Sequence, residues 1–233
     1  MVDDAGFQRL LRLIASGDEP QVRGLLANEP GLVSTAAADG ATRTDAQRYF
    51  LANVGHYVYA GDTALHIAAA GYRHQLAGAL VDRGANVRAV NRRGATPLHY
   101  AVGGAPGSTR WDPDAQAATI DRLIEAGADP EAADKSGVCP LHVAVRSRCA
   151  PAVRALLVGG ADPRRKNKSG STPLHLAVQT TGRGGSGSGA AKEQQAAIVG
   201  LLIHHGARAT DRNARGRTVA QCVRDTTLAA LLR

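Results

Sequence analysis

The chain has 233 residues, a formal net charge of +8 and an ordinary apolar content of 44%, enough to build a core in one domain or one short solenoid. No apolar run reaches the roughly 18 residues a membrane-spanning helix needs, and the acidic start Met1-Val2-Asp3-Asp4 lacks a secretory pattern, so a cytoplasmic protein is expected. Cys139, Cys149 and Cys222 are odd in number and show no metal spacing, so reduced thiols are expected and no metal.

Gln8-Arg9-Leu10-Leu11-Arg12-Leu13-Ile14 predicts a short amphipathic helix closed by Gly17. A second helix is predicted near Gln21 to Ala27, carrying Val22, Leu25 and Leu26. From about Ser34 to Tyr57 the chain then holds 22 residues more than its later period requires. This stretch begins loose and turns aromatic. Tyr49, Phe50, Tyr57, Tyr59 and the later Tyr72 are five of the eight aromatics. They fit either a staple closing the N-terminal end of the core or a partner hot spot.

One phrase follows in four copies: Gly61-Asp62-Thr63-Ala64-Leu65-His66-Ile67-Ala68, Gly94-Ala95-Thr96-Pro97-Leu98-His99-Tyr100-Ala101, Gly137-Val138-Cys139-Pro140-Leu141-His142-Val143-Ala144 and Gly170-Ser171-Thr172-Pro173-Leu174-His175-Leu176-Ala177. Each is answered downstream by an apolar pair and Gly-Ala, as in Leu80-Val81 with Gly84-Ala85 and Leu202-Ile203 with Gly206-Ala207. Thr96 and Thr172 stand where a hydroxyl caps the first free N–H groups of a helix. Pro97, Pro140 and Pro173 follow at the first helical position, where a missing N–H is no loss. Gly84, Gly127, Gly160 and Gly206 suit the left-handed residue that ends a second helix. Each unit therefore predicts helix, short turn, helix and an extended loop. None buries its apolar face alone, so the core comes from stacked neighbours.

The phrase glycines lie at 61, 94, 137, 170 and, in a worn copy, 216, at intervals of 33, 43, 33 and 46. The second and fourth repeats thus carry 10 and 13 extra residues between their helices. The first insertion, Gly103 to Asp114, holds Trp111, either tucked against the helices or an exposed anchor. Asp112 and Pro113 are placed to start the helix that follows. The second insertion, Thr180 to Gly189, is a flexible linker by composition. It lacks the Gly-Lys-Ser/Thr ending and the preceding strand of a phosphate loop. Gly216-Arg217-Thr218-Val219-Ala220 and a helical tail through Leu228, Leu231 and Leu232 predict a cap, its outer face polar through Arg224, Asp225 and Arg233.

With its Thr-Pro-Leu-His-x-Ala signature and 33-residue period, the stretch from about 58 to 211 resembles the ankyrin repeat. The resemblance implies an all-α ankyrin-repeat solenoid of stacked helix-turn-helix units with projecting hairpin loops. On it, one domain spans 1–233: a degenerate repeat at 4–33, an extended loop at 34–57, repeats at 58–90, 91–134, 135–167 and 168–211, and a cap at 212–233. It also implies that His66, His99, His142 and His175 hydrogen-bond their own turn and the adjacent repeat. By the same resemblance, fingers and inner helices form the docking face. A scaffold of this kind identifies a fold and not a chemistry.

The remaining His56, His74, His204 and His205 are scattered, and the adjacent pair is expected to point apart on its helix. Cys139 stands in the phrase threonine's place and reads as a capping or packing substitute. No Ser-His-Asp, Cys-His, paired-carboxylate or dinucleotide pattern appears, so no enzyme and no cofactor is expected. Basic residues gather in the predicted loops: Arg88, Arg92 and Arg93 in the first, Arg164, Arg165, Lys166 and Lys168 in the third, and Arg208, Arg212, Arg215 and Arg217 in the fourth. The second loop, with Glu131, Asp134 and Lys135, is near neutral to acidic. Residues 1–57 hold 5 basic against 7 acidic, 58–134 hold 7 against 9, and 135–233 hold 16 against 4.

The expected function is therefore non-catalytic binding of another protein, with an acidic surface, by a monomer. Arg88, Arg92, Arg93, Trp111, Arg164, Arg165, Lys166, Lys168, Arg212 and Arg215 are the candidate contacts, arginine offering paired donors to carboxylates. Two other classes stay open: nucleic acid or another polyanion bound through the basic C-terminal half, and an accessory or inhibitory subunit of an enzyme. The basic loops lack the aromatics that stack single strands. With 24 Arg against 4 Lys, a solvated face without functional message also stays open.

Overall fold

A computed structural model describes residues 4–104, 106, 108–179 and 189–232. The predicted glycine linker, apart from Gly189, and Arg233 lie outside the described residues. The architecture is all-α. In the N-terminal part run α1 (Asp4–Ser16), α2 (Glu19–Asn28), α3 (Ala64–Ala70), α4 (His74–Val81), α5 (Pro97–Ala101) and α6 (Pro113–Glu125). The one sheet among the described residues is an antiparallel pair, β1 (Phe50–Leu51) and β2 (His56–Tyr57), with Phe50 opposite Tyr57. The C-terminal part holds α7 (Pro140–Arg146), α8 (Ala150–Val158), α9 (Pro173–Ala177), α10 (Gly189–His204), α11 (Val219–Cys222) and α12 (Thr226–Leu231).

The chain divides into two units, Met1–Ala101 with Asp114–Asp129, and Val102–Pro113 with Pro130–Arg233. In the first, α1 packs on α2 and α3, and α3 packs on α4 and α5. Phe7, Leu10, Leu11, Ile14, Leu65, Leu76 and Leu98 are buried there. In the second, α7 packs on α8 and α9, while α10 packs on α8, α9 and α12. Leu141, Leu156, Leu174, Ile198 and Leu202 form its interior.

Each repeat starts with a reciprocal cap built from the phrase itself. Thr63 N–H and Oγ1 lie 3.1 and 3.0 Å from His66 Nδ1, and Thr172 and His175 repeat the arrangement at 3.3 and 2.8 Å. Cys139 takes the threonine's part, its N–H and thiol facing His142 Nδ1 at 3.3 and 2.8 Å. In the worn copy Thr218 and Gln221 form the same box. At the far ends Gly84, Gly127, Gly160 and Gly206 all take φ of 90 to 101°.

The insertions change the helices beside them. α3 and α7 run for 7 residues, but α5 and α9, each followed by an insertion, stop after 5. A buried glutamine from the next helix serves the shortened end: Gln116 Nε2 donates to Ala101 O at 3.0 Å, and Gln195 Nε2 to Ala177 O at 2.7 Å. The uninterrupted repeats instead turn through a left-handed residue, Tyr72 at φ 54° and Arg148 at φ 56°. Neither has the freedom of glycine, so the packed helix pair holds both turns.

Two expectations need correction or refinement. The rings of His204 and His205 do not point apart: at the end of α10, where His205 N still donates to Leu201 O at 3.1 Å, they lie edge to face with centroids 5.4 Å apart. Of the residues expected on the polar outer face of the C-terminal tail, Arg224 is exposed and Asp225, half-buried, caps α12 by accepting from Thr227 N and Leu228 N at 2.9 and 3.1 Å.

Candidate partner-binding surface

The predicted loops are hairpin fingers with a shared internal frame. Asn91, Asp134, Asn167 and Asn213 each stand three residues before a phrase glycine, and each backbone N–H donates to the carbonyl four residues on, at 2.9 to 3.1 Å. The side-chain oxygen accepts two more N–H groups across the tip. Asn167 Oδ1 takes those of Ser169 and Ser171 at 2.9 and 3.1 Å, and Asn213 those of Arg215 and Arg217 at 3.0 and 3.2 Å. Such local side-chain bonds fix a tip without sheet partners. Gly170 completes its tip at φ 67°, where a Cβ would come 2.5 Å from Ala214 N.

In the N-terminal unit the first finger's cations are turned to structural contacts. Arg88 Nε donates to Gly127 O at 2.9 Å, and Arg92 donates to Ala41 O. The guanidinium carbons of Arg92 and Arg93 lie 5.5 and 5.0 Å from the centre of the Tyr59 ring, within cation–π range. Trp111, in the other unit, is half-buried and closes against Gly104, where a Cβ would meet its indole Nε1 at 3.1 Å and collide with Cys149 Sγ.

The C-terminal unit brings the remaining candidates onto neighbouring fingers and sorts them into two kinds. Arg164 is an inter-finger strut, its Nε and Nη2 reaching the Asp211 carboxylate at 2.8 to 3.2 Å. Burial alone would push the Asp211 carboxyl up, yet the Arg164 hydrogen bonds hold it below its usual range. Arg165 pairs more loosely with Glu131, at 3.6 Å. Lys168 Nζ donates to Lys135 O, and Arg212 Nη1 to Gly216 O at 2.6 Å. Lys166, Lys168, Arg208, Arg212, Arg215 and Arg217 are all exposed, and among the described residues none of the six forms an ion pair.

A groove of about 500 Å³ opens beside them, lined by Leu176, Gln179, Asn213, Arg215, Arg217 and Arg224 among others, with no carboxylate in its wall. Arg215 was legible as a finger cation. Arg217 and Arg224 belong to the same wall, though no spacing in the sequence distinguishes them as contacts, because α11 brings Arg224 there.

The histidines and thiols are placed for structure. An Nδ1 that accepts Thr63 N–H is unprotonated, so His66 Nε2–H donates to Ala95 O at 3.1 Å. His142 and His175 reach Ser171 O and Arg217 O in the same way, both at 3.2 Å. Burial pushes His66 down to about 4, and lowers His142 and His175 as well. It pushes the Cys139 thiol up to about 11, which makes a poor nucleophile. Among the described residues no three His, Cys, Asp or Glu side chains gather as a metal site, and no helix is long and apolar enough to cross a membrane.

Three family models match the chain: ankyrin repeats (3 copies) over residues 14–109, ankyrin repeats (many copies) over 123–177, and a single ankyrin repeat over 93–135 and 169–217. The chain belongs to the ankyrin repeat family. No curated protein matches it. Ankyrin repeats are generally protein–protein interaction modules and are typically non-catalytic, which agrees with histidines committed to carbonyls and caps. The three-copy match begins within α1, at residue 14.

Proposed function

We propose that this ankyrin chain is a non-catalytic, monomeric, cytoplasmic binding module whose partner presents an acidic surface to the fingers of residues 135–233. One observation carries the reading. In the C-terminal unit Arg164 and Arg165 engage Asp211 and Glu131, Asp134 and Asp162 accept backbone N–H groups of their own loops, and six further exposed finger cations remain without an ion pair among the described residues. Self-repulsion between such cations is relieved when an acidic partner docks, and their field speeds the encounter. Weight within the site therefore moves from Arg164 and Arg165 towards Lys166, Lys168, Arg212 and Arg215.

The test is affinity capture from nuclease-treated lysate by the wild-type chain and by K166E/K168E/R212E/R215E, with the captured proteins identified by mass spectrometry. Acidic proteins held by the wild type should be lost by the reversal. They should also elute as salt passes about 0.15 M, where the screening length is about 8 Å. A reversal of R23E/R83E in the other unit serves as the control and should change nothing. An unchanged set on K166E/K168E/R212E/R215E refutes the reading. Tight, sequence-blind retention of duplex DNA with a steep salt slope would instead assign the surface to polyanions.

A further inference from the structure

We propose that the groove between α1 and the hairpin of the N-terminal insertion is a second docking site, taking an acidic linear segment of a partner protein that carries one large apolar side chain. The groove measures about 340 Å³. Arg12 and Ala15 of α1 line one wall; Arg48, Tyr49, Phe50 and Leu51 line the other. The second wall is built by residues the repeat period does not need, and it is held in place from behind. Val58 N donates to Tyr49 O at 2.9 Å, Ala41 N donates to Val58 O at 2.7 Å, and Phe50 lies against Tyr57 with ring centroids 4.9 Å apart.

Its chemistry selects the occupant. Ala15 and Val58, at 3% and 2% exposure, give it an apolar floor, while Tyr49, Phe50 and Leu51 stay half-buried and leave apolar area open to a ligand. Arg12 and Arg48 are exposed, and neither forms an ion pair among the described residues. The Arg48 guanidinium lies 5.6 Å from the centre of the Tyr49 ring, presenting a cation beside an aromatic face. No carboxylate lines the groove, although residues 1–57 carry 7 acidic against 5 basic side chains. Two uncompensated guanidinium groups flanking an apolar floor match carboxylates on either side of an aliphatic or aromatic residue. A volume near the lower end of ordinary ligand sites, roughly 300 to 1,000 Å³, admits one such side chain with its flanking backbone. The groove lies wholly within the N-terminal unit, so it stands apart from the finger reading.

The probe is an acetylated, amidated peptide, Asp-Glu-Asp-Leu-Asp-Glu-Asp, titrated into the full chain labelled with nitrogen-15 and followed by amide chemical shifts. Saturable shifts at Gln8, Arg12 and Arg48 to Asn53 are expected. The dissociation constant should rise at least about tenfold in R12E/R48E and with glycine in place of the peptide's leucine. R212E/R215E should leave these shifts unchanged. The proposal is overturned by the absence of saturable shifts in the groove, by equal binding of a lysine-flanked peptide, or by full affinity in R12E/R48E. Phenylacetate alone saturating the groove and excluding the peptide would mark a small-molecule site and equally overturn it. Shifts confined to the fingers and abolished by R212E/R215E would overturn the groove while supporting the finger reading.

Discussion

Taking the protein from pH 7 to 4.5 sets two buried groups of one turn against each other, and Asp62→Asn should expose the balance. Asp62 is fully buried and accepts from Tyr59 N at 2.7 Å and from Asn91 Nδ2 and Tyr100 Oη at 2.9 Å. Burial pushes its carboxyl from 3.8 up to about 6, against the pull of those donors and of Arg92. His66, also fully buried, is pushed from 6.5 down to about 4 by burial, with the bond to Ala95 opposing and His99 and His56 reinforcing. The signs differ. Between 3.8 and about 6 the folded state holds the Asp62 proton that the unfolded state has lost, so this contribution to stability grows as pH falls. Between 6.5 and about 4 the unfolded state binds the histidine proton that the folded state refuses, so that contribution is lost as pH falls.

Each linkage integrates to about 2 kcal/mol between pH 7 and 4.5, and the two nearly cancel. Asp62→Asn removes the first and leaves the second, so α3 should lose about 2 kcal/mol more than the wild type over that interval. Amide exchange of the segment Leu65–Ala69, corrected for intrinsic rates, measures this locally, which avoids assuming that a repeat array unfolds in one step. The substitution also sets an amide donor against either the Tyr59 N–H or Asn91 Nδ2, so stability should fall at every pH. Only the pH-dependent difference bears on the reasoning. Parallel profiles for the two proteins, or a steeper one for the wild type, would refute it.

Gln116→Leu should cost about 1 to 3 kcal/mol by leaving Ala101 O without its buried donor, whereas Gln75→Leu on the exposed face of α4 should change denaturant stability by less than about 0.5 kcal/mol. Gly170→Ala should destabilise more than Gly84→Ala, since both glycines are left-handed but only Gly170 would bring a Cβ onto Ala214, and paired melting temperatures decide this. Leu174→Ala, a truncation in the second unit's core, should cost about 2 to 5 kcal/mol, and an amide-shift titration should leave peptide binding in the N-terminal groove unaltered.

Much of the fold was legible because its determinants are close in sequence. A threonine three residues before a histidine is enough to build a cap, and the same spacing lets Cys139 and His142 do so without a hydroxyl. The fingers carried a signal of the same range that reads as mere loop. Asn or Asp three residues before a phrase glycine recurs at 91, 134, 167 and 213, and it marks the residue that frames each tip. Other features depend on contacts no local pattern records. Gln116 and Gln195 matter because an insertion shortens the preceding helix and leaves a carbonyl to serve. Arg164 reads in sequence as one more candidate finger contact, because its partner Asp211 lies 47 residues on. The groove beside α1 exists because a long insertion folds back onto the first helix.

That division between repeat and non-repeat positions also bears on where binding resides. A buried histidine that must accept from its own cap and donate to the next repeat has no proton or lone pair left for chemistry, and Oδ1 of Asn91, Asp134, Asn167 and Asn213 each already accepts two N–H groups of its own tip. The repeat positions are thus committed before any partner arrives. What remains available is what the period does not prescribe: Lys166, Arg212, Arg215 and Arg224 on the second unit's surface, and Arg12, Arg48 and the aromatics of the insertion in the first. These side chains are cations and exposed or half-buried apolar groups, the types that give an interface its steering and its anchors. Charge reversal at these positions should alter binding while leaving the melting temperature nearly unchanged, and substitution at the caps should do the reverse.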